Sequence, residues 1–261
     1  MHFISVQKTT NAINIITSPT TLCRWKARFQ KESTTMTLKN FLPTNNIIIV
    51  ALFLLLLAPQ LHAEVILKSK NTQSGFIARL LINEAPFPGE RGWVSEDDSK
   101  AAMLAILWVC HGRIHHIPSG YRQSQIAAVR TTDIIDVITV GGEKGQCDGF
   151  YRDSNGNACA VPRVHKRIDY LLKISNDGKP GKFARLLNFA QGLADNYVND
   201  GMLAADRFAS VNMVQRVPVT GRAYSWMTDK DCYSPGGNFI KIPNNQSGSL
   251  GGNRFFTLRK K

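Results

Sequence analysis

Ile47 to Ala58 reads IIIVALFLLLLA, an uninterrupted apolar run of 12 residues closed by Pro59. A helix needs roughly 20 such residues to cross a bilayer, so this run is too short for a comfortable span. It has the length of a secretory signal core, about 7–15 residues. Lys39 supplies a positive flank, and Leu61-His62-Ala63 reads as a small-residue cleavage site. Residues 1–35 are polar and weakly periodic, whereas Met36 opens MTLKNFLPTNN, an ordinary short basic flank. The expectation is a true start at Met36, an N-terminal extension and signal peptide over 1–63, and cleavage after Ala63. A single domain over 64–261 is then exported, periplasmic or secreted, with no stable membrane span. An uncleaved signal anchor is the alternative.

Export changes how charge and cysteines are read. The chain has 32 basic and 19 acidic residues; six basic and one acidic precede residue 64, leaving the domain at +8. Outside the cytoplasm such a charge faces anionic polymers such as peptidoglycan stem carboxylates. Nucleic acid would account for the charge equally well, but export argues against it, and charge also serves solubility alone. Cys23 lies before the domain; Cys110, Cys147, Cys159 and Cys232 remain. An even number in an oxidising compartment predicts disulfides, with three pairings open. Cys147 and Cys159 bracket a turn-rich loop and are favoured as one bridge, which leaves Cys110 with Cys232. No CxxC spacing supports zinc.

Periodicity predicts a mostly helical domain. Phe76, Ile77, Leu80 and Leu81 put an apolar stripe on a helix over 72–85, which Pro86 stops, so Glu84 sits at its C-terminal end. Ser95 followed by Asp98 resembles a capping box opening a helix from about Glu96 to His111, ended by Gly112. Further helices are expected over 123–131, 163–175, 182–198 and 202–213. Asn238–Ile242 and Arg254–Leu258 are β-prone runs about an Asn/Ser/Gly-rich turn, a hairpin signal. The fold class is α+β, with a small antiparallel hairpin near the C-terminus.

A carboxyl at a helix C-terminus against an apolar wall is disposed to stay protonated, because desolvation and the helix dipole both oppose ionisation. Glycosidic cleavage needs such an acid at the leaving oxygen. From spacing alone, a surface residue at a frayed helix end is the commoner reading of Glu84. His111 and His115 stand four apart, but position 112 is Gly where a zinc-protease motif has Glu, so no metal is expected. Asp153, Asn155 and Asn157 alternate like calcium ligands without an EF-hand glycine in register, and a turn is the expectation. No cofactor is indicated. Arg163, Lys166, Arg167, Lys179, Lys182 and Arg185 form a basic cluster, read as a solvated face or a polymer contact.

Five ordered pieces carry a resemblance: Ile82-Asn83-Glu84-Ala85; Ala101–Ile114, ending Gly112-Arg113-Ile114; Gly145-Gln146-Cys147; Asp231–Phe239; and Leu250–Phe256. Together they resemble the cell-wall hydrolases of the spore-cortex-lytic (SleB/CwlJ) type over most of residues 76–257. The resemblance implies a lysozyme-like fold that cleaves peptidoglycan glycan strands, as lytic transglycosylase or muramidase-like hydrolase. It implies Glu84 as catalytic acid/base and Gln146 as a cleft residue. Asn238 and Asn253 are added as candidate sugar-binding side chains, although turn and strand-end roles are the commoner use. The sequence departs from the family at Pro86–Glu90, at Gly112 and Cys147, and in a longer 148–200 region. A disulfide-bonded domain that binds envelope polymer or a protein without catalysis is the second reading.

Overall fold

The computed structural model describes residues 64–177, 181–212, 214, 219–228, 236–246 and 248–261. The signal-like run, Met36, the Ala63 junction, Lys179 and Cys232 lie outside the described residues. The chain divides into compact units Met1–Pro59 and Gln60–Lys261, of which the second is described.

Helix α1, Gln73–Glu84, starts where Thr72 Oγ1 accepts a hydrogen bond from Gly75 N at 3.1 Å. Its core face is wider than a stripe: Phe76, Ile77, Ala78, Leu80, Leu81 and Ile82 are all buried. A helix with so wide a buried face belongs in the middle of a domain, and α1 packs against three longer helices. These are α2 (Glu96–His115), α5 (Pro162–Asn176) and α6 (Gly181–Asp200), with α7 (Met202–Val211) completing the helical layer against α6. Ser95 Oγ caps α2 by accepting from Asp98 N at 3.0 Å. Three acidic residues in the first turn of α2, and Arg113 and His115 in its last, complement the helix dipole.

Gly112 does not end α2. The helix continues to His115, and His116 N still donates to Gly112 O at 3.0 Å. Tyr224 packs against Gly112, so tertiary contact overrides the local stop signal; Pro118 follows shortly after the real end. Helix α3 is shorter than its pattern, Gln123–Ala127, because Ala128 turns left-handed at φ 59°. Helix α4, Ile134–Thr139, was not expected from the sequence: six residues are too few to establish a period.

Strands β1 (Phe150–Arg152) and β2 (Ala158–Ala160) make a second, unforeseen hairpin. Its turn explains the calcium-like alternation, since Asp153 Oδ1 accepts from the backbone N–H of Asn155 (2.9 Å) and Asn157 (2.8 Å). Near the C-terminus, β3 (Ser225–Thr228), β4 (Phe239–Lys241), β5 (Ser249–Leu250) and β6 (Asn253–Leu258) form an antiparallel sheet ordered β3-β6-β4, with β5 also on β6. The fold is therefore α+β, mostly helical, with the small antiparallel sheet where the sequence placed it. Among the described residues, no helix is long and apolar enough to cross a membrane.

The favoured Cys147–Cys159 bridge is corrected. Cys110, Cys147 and Cys159 are unbridged. Cys147 precedes β1 and is buried in the core, where the nearby Cys110 and then burial push its thiol up. Cys159 sits in β2, paired with Tyr151, and directs its thiol to Asp153 Oδ2 at 4.0 Å. Cys147 is fully buried, whereas Cys159 lies partly exposed beside the hairpin turn.

Candidate active site around Glu84

The end of α1 is held from three directions. Pro86 forbids another helical turn, leaving the last carbonyls of α1 without intrahelical partners. Arg167 of α5 donates from Nη1 to Ile82 O at 2.5 Å and from Nη2 to Ala85 O at 3.0 Å. Glu90 fixes that guanidinium through its two carboxylate oxygens, Nε to Oε1 being 2.9 Å. Asn253, at the start of β6, donates from Nδ2 to Glu84 O at 2.7 Å. Gly251 allows this approach: at φ 48°, a Cβ there would lie 2.6 Å from the Ala102 side chain.

The Glu84 side chain meets two donors. Trp226 Nε1 donates to Oε2 at 3.0 Å, and Asn83 Nδ2 to Oε1 at 3.1 Å. The side chain is only partly exposed, and burial is the largest influence on its carboxyl, pushing the pKa up. The Trp226 and Asn83 hydrogen bonds oppose that rise, Asp148 adds to it, and Arg167 opposes it. One set of effects favours the neutral acid and the other favours the carboxylate. A group that must both give and take a proton needs this opposition.

Behind Trp226 stands a buried polar relay. Arg113 is 1% exposed and donates from Nε to Tyr224 O at 2.8 Å and from Nη2 to Gln146 Oε1 at 2.6 Å. Gln146 Nε2 reaches Trp226 O at 3.4 Å, and the Arg113 guanidinium lies 5.9 Å from the Trp226 ring centre. Arg113 and Gln146 thereby orient the strand that carries the indole donor.

The sequence-predicted residues separate on this geometry. Glu84 is at the centre. Gln146 joins it through Trp226, but its amide is engaged by protein groups, so it positions the site instead of facing sugar. Asn253 is corrected from a sugar contact to a backbone clamp: it is 2% exposed, and its amide serves Glu84 O and Gly251 O. Asn238 is also corrected. It lies opposite Arg259, whose N donates to Asn238 O at 2.8 Å, six residues beyond Asn253 along the last strand. At about 3.3 Å per residue that is about 20 Å away. Trp226, Asn83, Asp148 and Arg167 were not singled out as site residues. The usable signal for Trp226 was its β-prone surroundings, Tyr224–Thr228.

Other candidates resolve differently. The rings of His111 and His115 lie 4.4 Å apart at an interplanar angle of 35°, side by side on α2. Burial, with His115 and His116 adding to it, pushes the His111 pKa down to about 4. No group of three or more His, Cys, Asp or Glu among the described residues is arranged to hold a metal ion. Much of the basic cluster is paired internally: Arg163 with Asp148 at 2.6 Å, Arg185 with Glu96 at 2.8 Å, and Arg167 with Glu90. A cavity of about 920 Å³ opens at the other end of α1, between Thr72, Phe76, Arg79, Tyr151 and His165. It excludes Glu84. Its Arg152 is paired with Asp136 and its Arg79 is engaged by backbone carbonyls, so the converging donors around Glu84 are the stronger indication of chemistry.

No protein-family model, curated protein or solved structure matches this chain.

Proposed function

We propose that the domain is an exported, lysozyme-like enzyme that cleaves peptidoglycan glycan strands with Glu84 as general acid and then base. The observation that carries this reading is the Glu84 carboxyl, protonation-prone through burial yet contacted by the Trp226 and Asn83 donors. In the first step the protonated carboxyl gives its proton to the leaving glycosidic oxygen. The Trp226 N–H then stabilises the carboxylate left behind. In the second step that carboxylate takes a proton from the attacking oxygen. A muramic acid 6-hydroxyl gives a lytic transglycosylase, and water gives a hydrolase. The domain's +8 charge suits the stem-peptide carboxylates of such a polymer.

Purified sacculi test the reading. The wild type lowers turbidity and releases fragments whose mass distinguishes anhydro from reducing ends. Glu84→Gln keeps size and hydrogen bonding, removes the transferable proton and abolishes release. Equal cleavage by Glu84→Gln overturns the assignment. No cleavage by the wild type, together with co-sedimentation on sacculi, leaves envelope-polymer binding as the function.

A further inference from the structure

We propose that the cavity at the N-terminal end of α1 is a second site, which binds a short peptide by its free C-terminal carboxylate. The volume of about 920 Å³ is in the range that takes a small organic ligand. The first turns of α1, the β1–β2 hairpin and the start of α4 wall it, with His165 from α5. Its carboxylates are engaged within the protein. Asp133 Oδ1 accepts from Ile135 N at 2.9 Å, and Asp153 Oδ1 accepts from Asn155 N at 2.9 Å and Asn157 N at 2.8 Å. Arg152 is paired with Asp136 at 2.6 Å. Arg79 differs from these. Its Nη1 donates to Lys68 O at 2.7 Å and to Gly75 O at 2.8 Å, which anchors the guanidinium by one nitrogen. Among the described residues, no carboxylate is in ion-pair contact with it, and Nε and Nη2 have no protein acceptor. Burial opposes its charge, and Asp169 favours it from beyond contact. A half-buried guanidinium that is held in place, with nitrogens left to donate, is a receptor for a carboxylate or phosphate. Lys70 adds a second cation at the rim.

The rest of the lining selects between those anions. Phe76, Ile135 and Ala160 are buried side chains that give the cavity an apolar wall, and Tyr151 adds a half-buried ring. A bare phosphate gains nothing from such a wall, whereas a small apolar side chain beside a carboxylate does. Asn71, Gln73 and Asn157 are exposed lining residues whose amides both donate and accept, as the peptide groups of a ligand require. Carboxylate, apolar side chain and amide together describe the C-terminus of a peptide. The inference goes beyond glycan cleavage and does not depend on it. A peptidoglycan stem peptide is one source of such a terminus.

Cys159 lines the cavity and is partly exposed, while Cys110 and Cys147 are buried, so alkylation of Cys159 reports occupancy. The folded, reduced full chain is titrated by calorimetry with N-acetyl-Ala-Ala-Ala, with its C-terminal amide and with inorganic phosphate, at one pH and ionic strength. Iodoacetamide labelling of Cys159 is followed by mass spectrometry in the presence of each. The free acid is expected to bind about tenfold or more tighter than the amide, the effect of a charge-assisted hydrogen bond, and to slow Cys159 labelling. Arg79→Gln is expected to abolish that preference, and Lys70→Gln, at the exposed rim, to weaken it without changing the melting temperature. The acid–amide comparison uses the wild type, so it decides even where Arg79→Gln does not fold. Equal binding of acid and amide, binding that leaves Cys159 labelling unchanged, or protection by phosphate and not by the tripeptide overturns the proposal. None of these readouts involves glycan cleavage, so failure here is distinct from failure of the Glu84 reading.

Discussion

Asn253→Ala separates a clamp from a sugar contact. In the structure Asn253 Nδ2 lies 2.7 Å from Glu84 O and 3.2 Å from Gly251 O, and the residue is 2% exposed. Alanine leaves both acceptors without this donor in a space closed to water. An unsatisfied buried acceptor costs about 1–3 kcal/mol. Gly251 O is the longer and weaker contact, so the loss is dominated by Glu84 O, and about 2 kcal/mol is expected. For a domain of this size each kcal/mol moves Tm by about 2–4 °C, so the variant should melt about 4–8 °C lower. Circular dichroism melts of wild type and variant, at one pH and ionic strength, measure this. Asn238→Ala is the control: its amide makes one longer bond, 3.3 Å to Gln125 O, and little change is expected. If Asn253→Ala melts with the wild type but loses affinity for soluble glycan fragments, the clamp is wrong and the sugar contact is restored.

Glu84→Gln should flatten part of the stability–pH curve. Burial raises the folded pKa of Glu84 above the ordinary glutamate value of 4.5, so the folded state holds the proton more tightly. That contribution is complete below 4.5 and is lost as pH rises through the raised folded pKa. Denaturant melts across that window should show the variant gaining on the wild type; parallel curves would contradict the assignment. Trp226→Phe removes a donor that favours the carboxylate, so the pH limb reporting Glu84 should move upward in a sacculus-cleavage profile. An unmoved limb would show that the indole does not act on Glu84. Arg167→Met should destabilise by about 2 kcal/mol, since Ile82 O, Ala85 O and Glu90 lose their donor in a partly exposed setting. A urea midpoint equal to the wild type would refute the clamp on α1.

Local sequence by itself determined the long elements and the place of the carboxyl. The apolar spacing from Phe76 to Leu81, the Thr72 cap and Pro86 are neighbour-range signals, and they put Glu84 at the end of α1 without knowledge of any partner. The same is true of α5, α6 and the β4–β6 pairing about its polar turn. Short elements were not legible, because six residues of α4 or three of β1 are fewer than a period needs. Only tertiary structure decided what surrounds the carboxyl. Trp226 lies 142 positions from Glu84 and Asn253 lies 169 from it, so no window of sequence contains both members of either bond. Packing also decided against two local signals. Gly112 stays helical under Tyr224, and Cys147 stays unbridged in the core although Cys159 is close along the chain. A helix stop and a loop disulfide are local preferences of roughly a kcal/mol or of chain proximity alone. Burial of α2 against α6, α4 and the sheet outweighs both, because it removes many apolar side chains from water at once.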